Sequence, residues 1–94
     1  MATVSDAVLK EFKGRMKISH DTEDDNLKRL LSSSLIALNN SCGWFGFENE
    51  VGKELVFERA RYAYNDSLEF FASNFLTEII TLSMSLCEPG WEDG

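Results

Sequence analysis

The clearest hydrophobic pattern in the chain lies within residues 24–39. Apolar or small side chains recur there at intervals of three and four, at Leu27, Leu30, Leu31, Ser34, Leu35 and Leu38. This spacing places them on one face of an α-helix. Asp21 or Thr22 can cap the helix. The negative charges of residues 23–25 interact favourably with the positive end of the helix dipole. The segment 39–43 ends it with asparagine and glycine. The pattern therefore predicts a helix from about residue 24 to 39.

Two further helices are predicted on either side of this one. Ser5 or Asp6 can cap a short first helix, which Gly14 is expected to end. Its apolar face contains Val8, Leu9, Phe12 and Met16. Asn49 can cap a third helix that begins near Glu50 and extends to about residue 71. Its broad inward face contains Val51, Leu55, Val56, Ala60, Ala63, Tyr64, Ser67, Leu68 and Phe71.

Residues 79–87 follow a different pattern, in which apolar and polar side chains alternate. The apolar positions are Ile80, Leu82, Met84 and Leu86, and Thr81, Ser83 and Ser85 lie between them. A period of two is typical of a β-strand, and we expect a strand from about residue 79 to 87. The alternative is a helix with Phe75, Leu76, Ile79, Ile80 and Ser83 facing the bundle. A lone strand must complete its hydrogen bonds on another chain, so this segment is expected to bind a partner.

The length of 94 residues is enough for one domain with one modest core. We predict an all-α fold, a small bundle of three to four helices, whose C-terminal arm is an extended strand in the preferred interpretation. The helical domain covers residues 1–77, and the arm with its acidic tail covers residues 78–94. The arm residues expected to contact a partner are Ile80, Leu82, Met84, Leu86 and Trp91.

Three aromatic residues, Trp44, Phe45 and Phe47, surround a glycine between the second and third helices. Such a dense aromatic loop has two interpretations. It either folds back as a lid over the helical core or stands out as an anchor for a partner.

The net charge of −7 is unevenly distributed along the chain. Residues 1–47 contain six acidic and six basic residues, whereas residues 48–94 contain ten acidic and three basic residues. No Lys or Arg follows Arg61. An acidic surface repels phosphates, which disfavours a nucleic-acid binder of the usual basic kind. It is compatible with a wall along which DNA slides without adhering. Arg59, Arg61 and Glu58 lie within one turn and are interpreted as surface ion pairs.

The first helix is the most basic part of the chain because it carries Lys10, Lys13, Arg15 and Lys17. One interpretation is a solvated face with favourable charge at the helix C-terminus. The other is a subunit interface with an acidic neighbour.

The sequence has no pattern typical of an enzyme or a metal site. His20 lies beside several acidic residues, but capping explains these, and the chain has Asn26 and Ser32 where a calcium loop begun at Asp21 needs Gly and Glu. Cys42 and Cys87 are interpreted as reduced and small-hydrophobic. We therefore expect no catalysis, no metal and no cofactor. Without a membrane-spanning or signal segment, a cytoplasmic protein is expected.

Two blocks of sequence carry a resemblance to a known family. The first, residues 9–25, reads LKEFKGRMKISHDTEDD and precedes the Leu-rich helix. The second, residues 59–76, includes RARYAYNDSLEFF and NFL. In their order, spacing and total length, these blocks resemble the small head-to-tail connector, or head-completion, proteins of long-tailed bacteriophages. The aromatic loop and the Trp91 tail depart from that resemblance.

The resemblance implies a non-enzymatic virion protein located in the neck, at the head–tail junction, and assembled in the host cytoplasm. Such a protein binds the portal protein as a ring, expected to contain twelve copies, and presents a surface to the next neck, stopper or tail protein. DNA would pass through the channel without specific binding. A different class is also compatible with the composition, namely an acidic helical phage regulator that binds a host protein.

Overall fold

Helices account for all the regular secondary structure of residues 4–86, the part of the chain that the computed structural model describes. The main helices are α1 (Asp6–Met16), α2 (Asp24–Cys42) and α3 (Glu50–Tyr64). A 3₁₀ turn (Leu68–Phe70) then leads directly into the short helix α4 (Phe71–Asn74), and α5 (Leu76–Leu86) follows. The predicted all-α class is confirmed.

Two of the predicted helix caps are confirmed, and one is wrong. The Ser5 hydroxyl accepts a hydrogen bond from the Val8 N–H, and the Asn49 side chain accepts one from the Gly52 N–H. Helix α2 instead begins after Glu23, whose side chain makes no capping bond. Neither Asp21 nor Thr22 caps α2, because Asp21 pairs with Lys13 and the Thr22 hydroxyl contacts His20.

The helices end at residues that adopt unusual backbone angles or break the hydrogen-bond ladder. Helix α1 continues past Gly14 to Met16, and Lys17 follows with a φ of 60°. Helix α2 ends where Gly43 adopts a φ of 120°, a conformation that favours glycine. Helix α3 ends at Tyr64, earlier than predicted, and Asp66 follows in the left-handed region with a φ of 57°. The predicted third helix is therefore divided into α3, the 3₁₀ turn and the start of α4.

Helix α2 lies at the centre of the bundle and packs most extensively on α3 and α5. Its stripe of leucines contributes Leu27, Leu31, Leu35 and Leu38 to the core, as the sequence pattern predicted. Phe12 of α1 and Phe57 of α3 are both fully buried, and their ring centroids lie 5.4 Å apart. This aromatic contact fixes α1 to the bundle.

The expected strand at residues 79–87 is wrong, because α5 is a helix up to Leu86. Leu82 is fully buried in the common core, and Ile79 packs against that core. The helix satisfies its own backbone, and the hydroxyls of Ser83 and Ser85 donate to carbonyl oxygens within the same helix. Packing of one face against α2 and α3 thus outweighs the alternating pattern. Residues 78–86 consequently belong to the bundle, and residues 87–94 lie outside the described residues.

Candidate protein-binding surface

The outer face of α5 exposes a row of large apolar side chains. Leu76, Ile80 and Met84 follow one another at intervals of four and are 55%, 48% and 72% exposed. We call these three residues the α5 row. Leu68 and Phe70, in the 3₁₀ turn that precedes α4, are also exposed. Scattered exposed apolar residues are ordinary on protein surfaces, but a contiguous row on one helix face is typical of a contact surface.

The charged side chains that α5 and the preceding 3₁₀ turn contribute are acidic. Glu78 lies on α5 itself and Glu69 lies in the 3₁₀ turn, and both are exposed. Since no basic residue follows Arg61 in the sequence, α5 brings no positive charge to this surface. The row itself therefore suits a partner with an apolar surface, and Glu69 and Glu78 suit neutral or basic side chains of that partner.

The arm residues predicted to contact a partner fall into three groups. Ile80 and Met84 belong to the exposed α5 row. Leu82 is fully buried and Leu86 packs against the core, so both support the bundle in this structure. Trp91 lies outside the described residues. The helical alternative placed Leu76 and Ile80 on the face toward the bundle, and this is wrong because both are exposed. Their spacing of four residues does indicate that they share a helix face.

Two residues of the aromatic loop fold back on the core, as a lid would, and one is exposed, as an anchor for a partner would be. Phe45 is buried, and its backbone N–H donates to the Asn39 side chain at 3.0 Å. Phe47 is partly buried against the core. Trp44, in contrast, is 81% exposed. Phe45 and Phe47 thus fold back toward the core, and Trp44 is the loop side chain that is accessible to a partner.

Lys13, a member of the predicted subunit interface, forms ion pairs with two carboxylates of the same chain. Lys13 Nζ lies 2.9 Å from Asp21 Oδ1 and 2.7 Å from Asp24 Oδ1. These hydrogen bonds, to Asp24 first and then Asp21, raise the pKa of Lys13 above its ordinary value. The bond from Lys13 in turn lowers the pKa of Asp21. These three side chains line an open groove of about 600 Å³, together with the apolar Leu9 and Ile18.

Arg15 links α1 to α3. Its guanidinium lies 2.7 Å from Glu54 and 3.2 Å from Glu58, and it is positioned over the Phe57 ring. Lys10 and Lys17 are exposed, and neither forms an ion pair with another residue in the range 4–86. These two lysines are the members of the predicted interface that are accessible to a neighbouring acidic surface.

Arg59 differs from the other cations of α3. Lys53 pairs with Glu11 and Arg61 pairs with Glu58, whereas no carboxylate among the described residues pairs with Arg59. Its guanidinium donates to the hydroxyl of the buried Ser34 at 3.3 Å. Partial burial lowers the pKa of Arg59. The predicted surface pairing is therefore found for Arg61 and not for Arg59.

No protein-family model, curated protein or solved structure matches the chain.

Between residues 4 and 86, no group of His, Cys, Asp or Glu side chains is arranged to hold a metal ion. Over the same span, no helix has the length and apolar character needed to cross a bilayer.

Proposed function

We propose that this chain is a structural head-to-tail connector of a bacteriophage. In this role it binds the portal vertex as a ring, extends the DNA channel and provides the docking surface for the next neck or tail protein. The proposal is supported by the resemblance of residues 9–25 and 59–76 to that family and by the helical fold, which suits it. It needs no catalytic group and no cofactor.

The α5 row is the observation that carries the proposal. Leu76, Ile80 and Met84 expose apolar surface along one side of a helix whose other side is in the core. Covering such a row with a second protein removes that surface from water, which favours association by roughly 25 cal/mol for each Å² buried. A connector must hold the portal or a neighbouring subunit, and the α5 row is a surface of the kind that such contacts use.

The distribution of charge supports the same role. Asp66, Glu69 and Glu78 are exposed, and none of them forms an ion pair within residues 4–86. Carboxylates that line a channel repel the DNA backbone and hinder its adhesion. A ring whose acidic surface faces the channel would therefore let DNA pass without gripping it.

The test is assembly with the portal protein of the same phage. The full chain is mixed with purified portal rings, and the mass of the complex is measured by native mass spectrometry. We expect a ring of bound chains, and we expect Ile80→Glu to weaken binding at least about tenfold because it places a charge in the apolar contact. Thr81→Glu is the matched control, since it adds the same charge at the next exposed position of α5. Normal binding of Ile80→Glu would exclude the α5 row as the contact.

The acidic surface also favours a second candidate, an acidic helical phage regulator that binds a host protein. Such a regulator would occupy the basic groove of a DNA-binding protein and would have no reason to form a ring. Mass in solution separates the two functions. A chain that stays monomeric or dimeric with portal present, and that competes with DNA for a basic host protein, would be a regulator.

A further inference from the structure

A small cavity lies between α2, the α3 residue Arg59 and the C-terminal helices. Its volume is about 160 Å³, and it is lined by Ala37, Leu38, Ser41, Arg59, Phe71, Ala72 and Ile79. Leu38 and Phe71 are buried, so one part of the wall is apolar. The small side chains Ala37, Ser41 and Ala72 leave the space open. Arg59 is the one charged residue among the described residues of this lining.

The guanidinium of Arg59 has more N–H donors than the hydrogen bonds described for it. It is partly buried, and within residues 4–86 it donates one hydrogen bond, to the hydroxyl of Ser34, which is fully buried. A guanidinium carries five N–H donors in a planar fork that matches a carboxylate. A partly desolvated charge is stabilised when an opposite charge completes its hydrogen bonds, and in such surroundings the attraction is stronger than in bulk water. The chemistry that fits the cavity is thus a carboxylate on a short apolar stem, the side chain of Glu or Asp.

We propose that the Arg59 cavity binds an acidic side chain of a second copy of this chain. The inference rests on the proposed function, since a ring brings copies into contact, and it names a specific contact between neighbouring subunits. Arg59 is the receptor, Ser34 is a positioning residue for its guanidinium, and the apolar wall of Leu38, Phe71 and Ile79 surrounds the entering carbon stem.

Two features of the structure favour a second copy as the source of the carboxylate. Charge is complementary, because every copy exposes acidic side chains, such as Glu69 and Glu78, that have no ion pair within residues 4–86. Position is also favourable, because Ile79 lines the cavity and the adjacent Ile80 belongs to the α5 row. A subunit that covers the row therefore comes close to the cavity, and one interface can use both.

Zero-length cross-linking with a carbodiimide tests the contact directly. The variant Arg59→Lys is prepared in the full chain, half of it labelled with ¹⁵N, and the two halves are mixed at high concentration and with portal rings. The reagent joins an amine to a carboxylate in contact with it, and mass spectrometry of the digested product identifies both residues. Mixed-isotope peptide pairs show that the contact is between copies. Arg61→Lys is the matched control, because position 61 lies beside Glu58 of the same chain and should give single-isotope pairs.

We expect mixed-isotope pairs between position 59 and an aspartate or glutamate. Pairs of one isotope alone would place the carboxylate in the same chain and overturn the proposal. Association by mass without any cross-link from position 59 would overturn this inference and leave the connector function standing. Failure of the chain to associate at all, with or without portal, would overturn both.

A measurement on Arg59→Gln checks the energetic part of the inference. Removing one partner of a desolvated charge pair weakens association, and we expect at least about a tenfold increase in the dissociation constant between copies. Arg61→Gln, on the same helix, should change it less than about threefold. The far-ultraviolet circular dichroism of both variants verifies that each is folded. An equal effect of the two substitutions would contradict a specific role for Arg59.

Discussion

The ring of Phe45 lies directly over Gly52 in the first turn of α3. A Cβ atom at position 52 would overlap the Cδ2 and Cε2 atoms of that ring and would lie unusually close to its Cγ atom. Phe45 is buried, so its ring has little freedom to move away. The contact holds the aromatic loop against the start of α3, whose Gly52 N–H also donates to the cap residue Asn49. The absence of a side chain at Gly52 is thus what allows the loop to fold back.

Gly52→Ala should destabilise the protein. Overlap with a buried ring forces side chains or backbone to shift, which costs about 1–3 kcal/mol and outweighs the better helix propensity of alanine. The free energy of unfolding in urea, followed by circular dichroism, measures the loss.

The matched control for this prediction is Gly14→Ala in α1. A Cβ atom there would meet nothing within 4 Å. Alanine should therefore stabilise the protein by about 0.5–1 kcal/mol through helix propensity alone. If both substitutions stabilise the protein, the close contact of Phe45 with Gly52 is contradicted.

Leu82→Ala and Met84→Ala should have very different effects, although the residues are two positions apart. Leu82 is fully buried and Met84 is 72% exposed. Truncation of Leu82 should reduce the free energy of unfolding by about 2–5 kcal/mol, because it leaves a cavity in the core. Met84→Ala should change it by less than about 0.5 kcal/mol in the isolated chain. Similar losses from both would indicate that α5 does not pack on the bundle with this face.

Asn49→Ala should remove the cap of α3 and lower the free energy of unfolding by about 1 kcal/mol. The reason is that the Gly52 N–H, now bonded to the Asn49 side chain at 2.9 Å, loses its acceptor. Thr22→Ala is the comparison, since its hydroxyl contacts His20 and caps no helix. An effect of Thr22→Ala as large as that of Asn49→Ala would show that α2 is capped as the sequence suggests.

The pairing of Lys13 with Asp21 should make stability depend on pH at both ends of the range. The pKa of Asp21 is lowered from its ordinary 3.8, so its contribution is complete above that pH and is lost as the pH falls through the lowered value. The pKa of Lys13 is raised from its ordinary 10.5, so its contribution is complete below that pH and is lost as the pH rises through the raised value.

Removing the lysine provides the measurement for this pH dependence. In Lys13→Met, the pKa of Asp21, followed by nuclear magnetic resonance of its carboxyl group, should return toward its ordinary value. Lys10→Met is the control, because Lys10 has no ion pair within residues 4–86 and should leave the titration of Asp21 unchanged. If the pKa of Asp21 is the same in the unsubstituted protein, in Lys13→Met and in Lys10→Met, the ion pair is excluded.

The sequence was sufficient for much of the fold because helical periodicity is a local signal. The leucine stripe of α2 and the caps at Ser5 and Asn49 were predicted from spacing and residue type. The helix α5 was only the alternative to a strand, because Leu82 and Met84 alternate with serines. Contact with α2 and α3 determines which face is buried. Tertiary packing of this kind is not encoded in a short window of sequence.

The candidate surface was predictable only in part. Ile80 and Met84 were named from the sequence, although on the assumption of a strand. Arg59 looked like one member of a surface cluster with Arg61 and Glu58. Its separation from them depends on Ser34, which is 25 residues away in the sequence and reaches it through the packing of α2 on α3. Such long-range neighbours leave no local pattern.

The attachment of α1 has a consequence for how the molecule responds to salt. Besides the apolar contacts of Phe12 and Leu9, charge pairs join the helix to its surroundings, at Arg15 with Glu54 and Glu58 and at Lys53 with Glu11. Dissolved ions screen partly exposed pairs of this sort much more than they affect a buried ring. Rising ionic strength should therefore loosen the orientation of this first helix while its aromatic anchor still holds it. The orientation of α1 thus depends on the ionic strength of the solvent, whereas the packing of the leucine-lined centre does not.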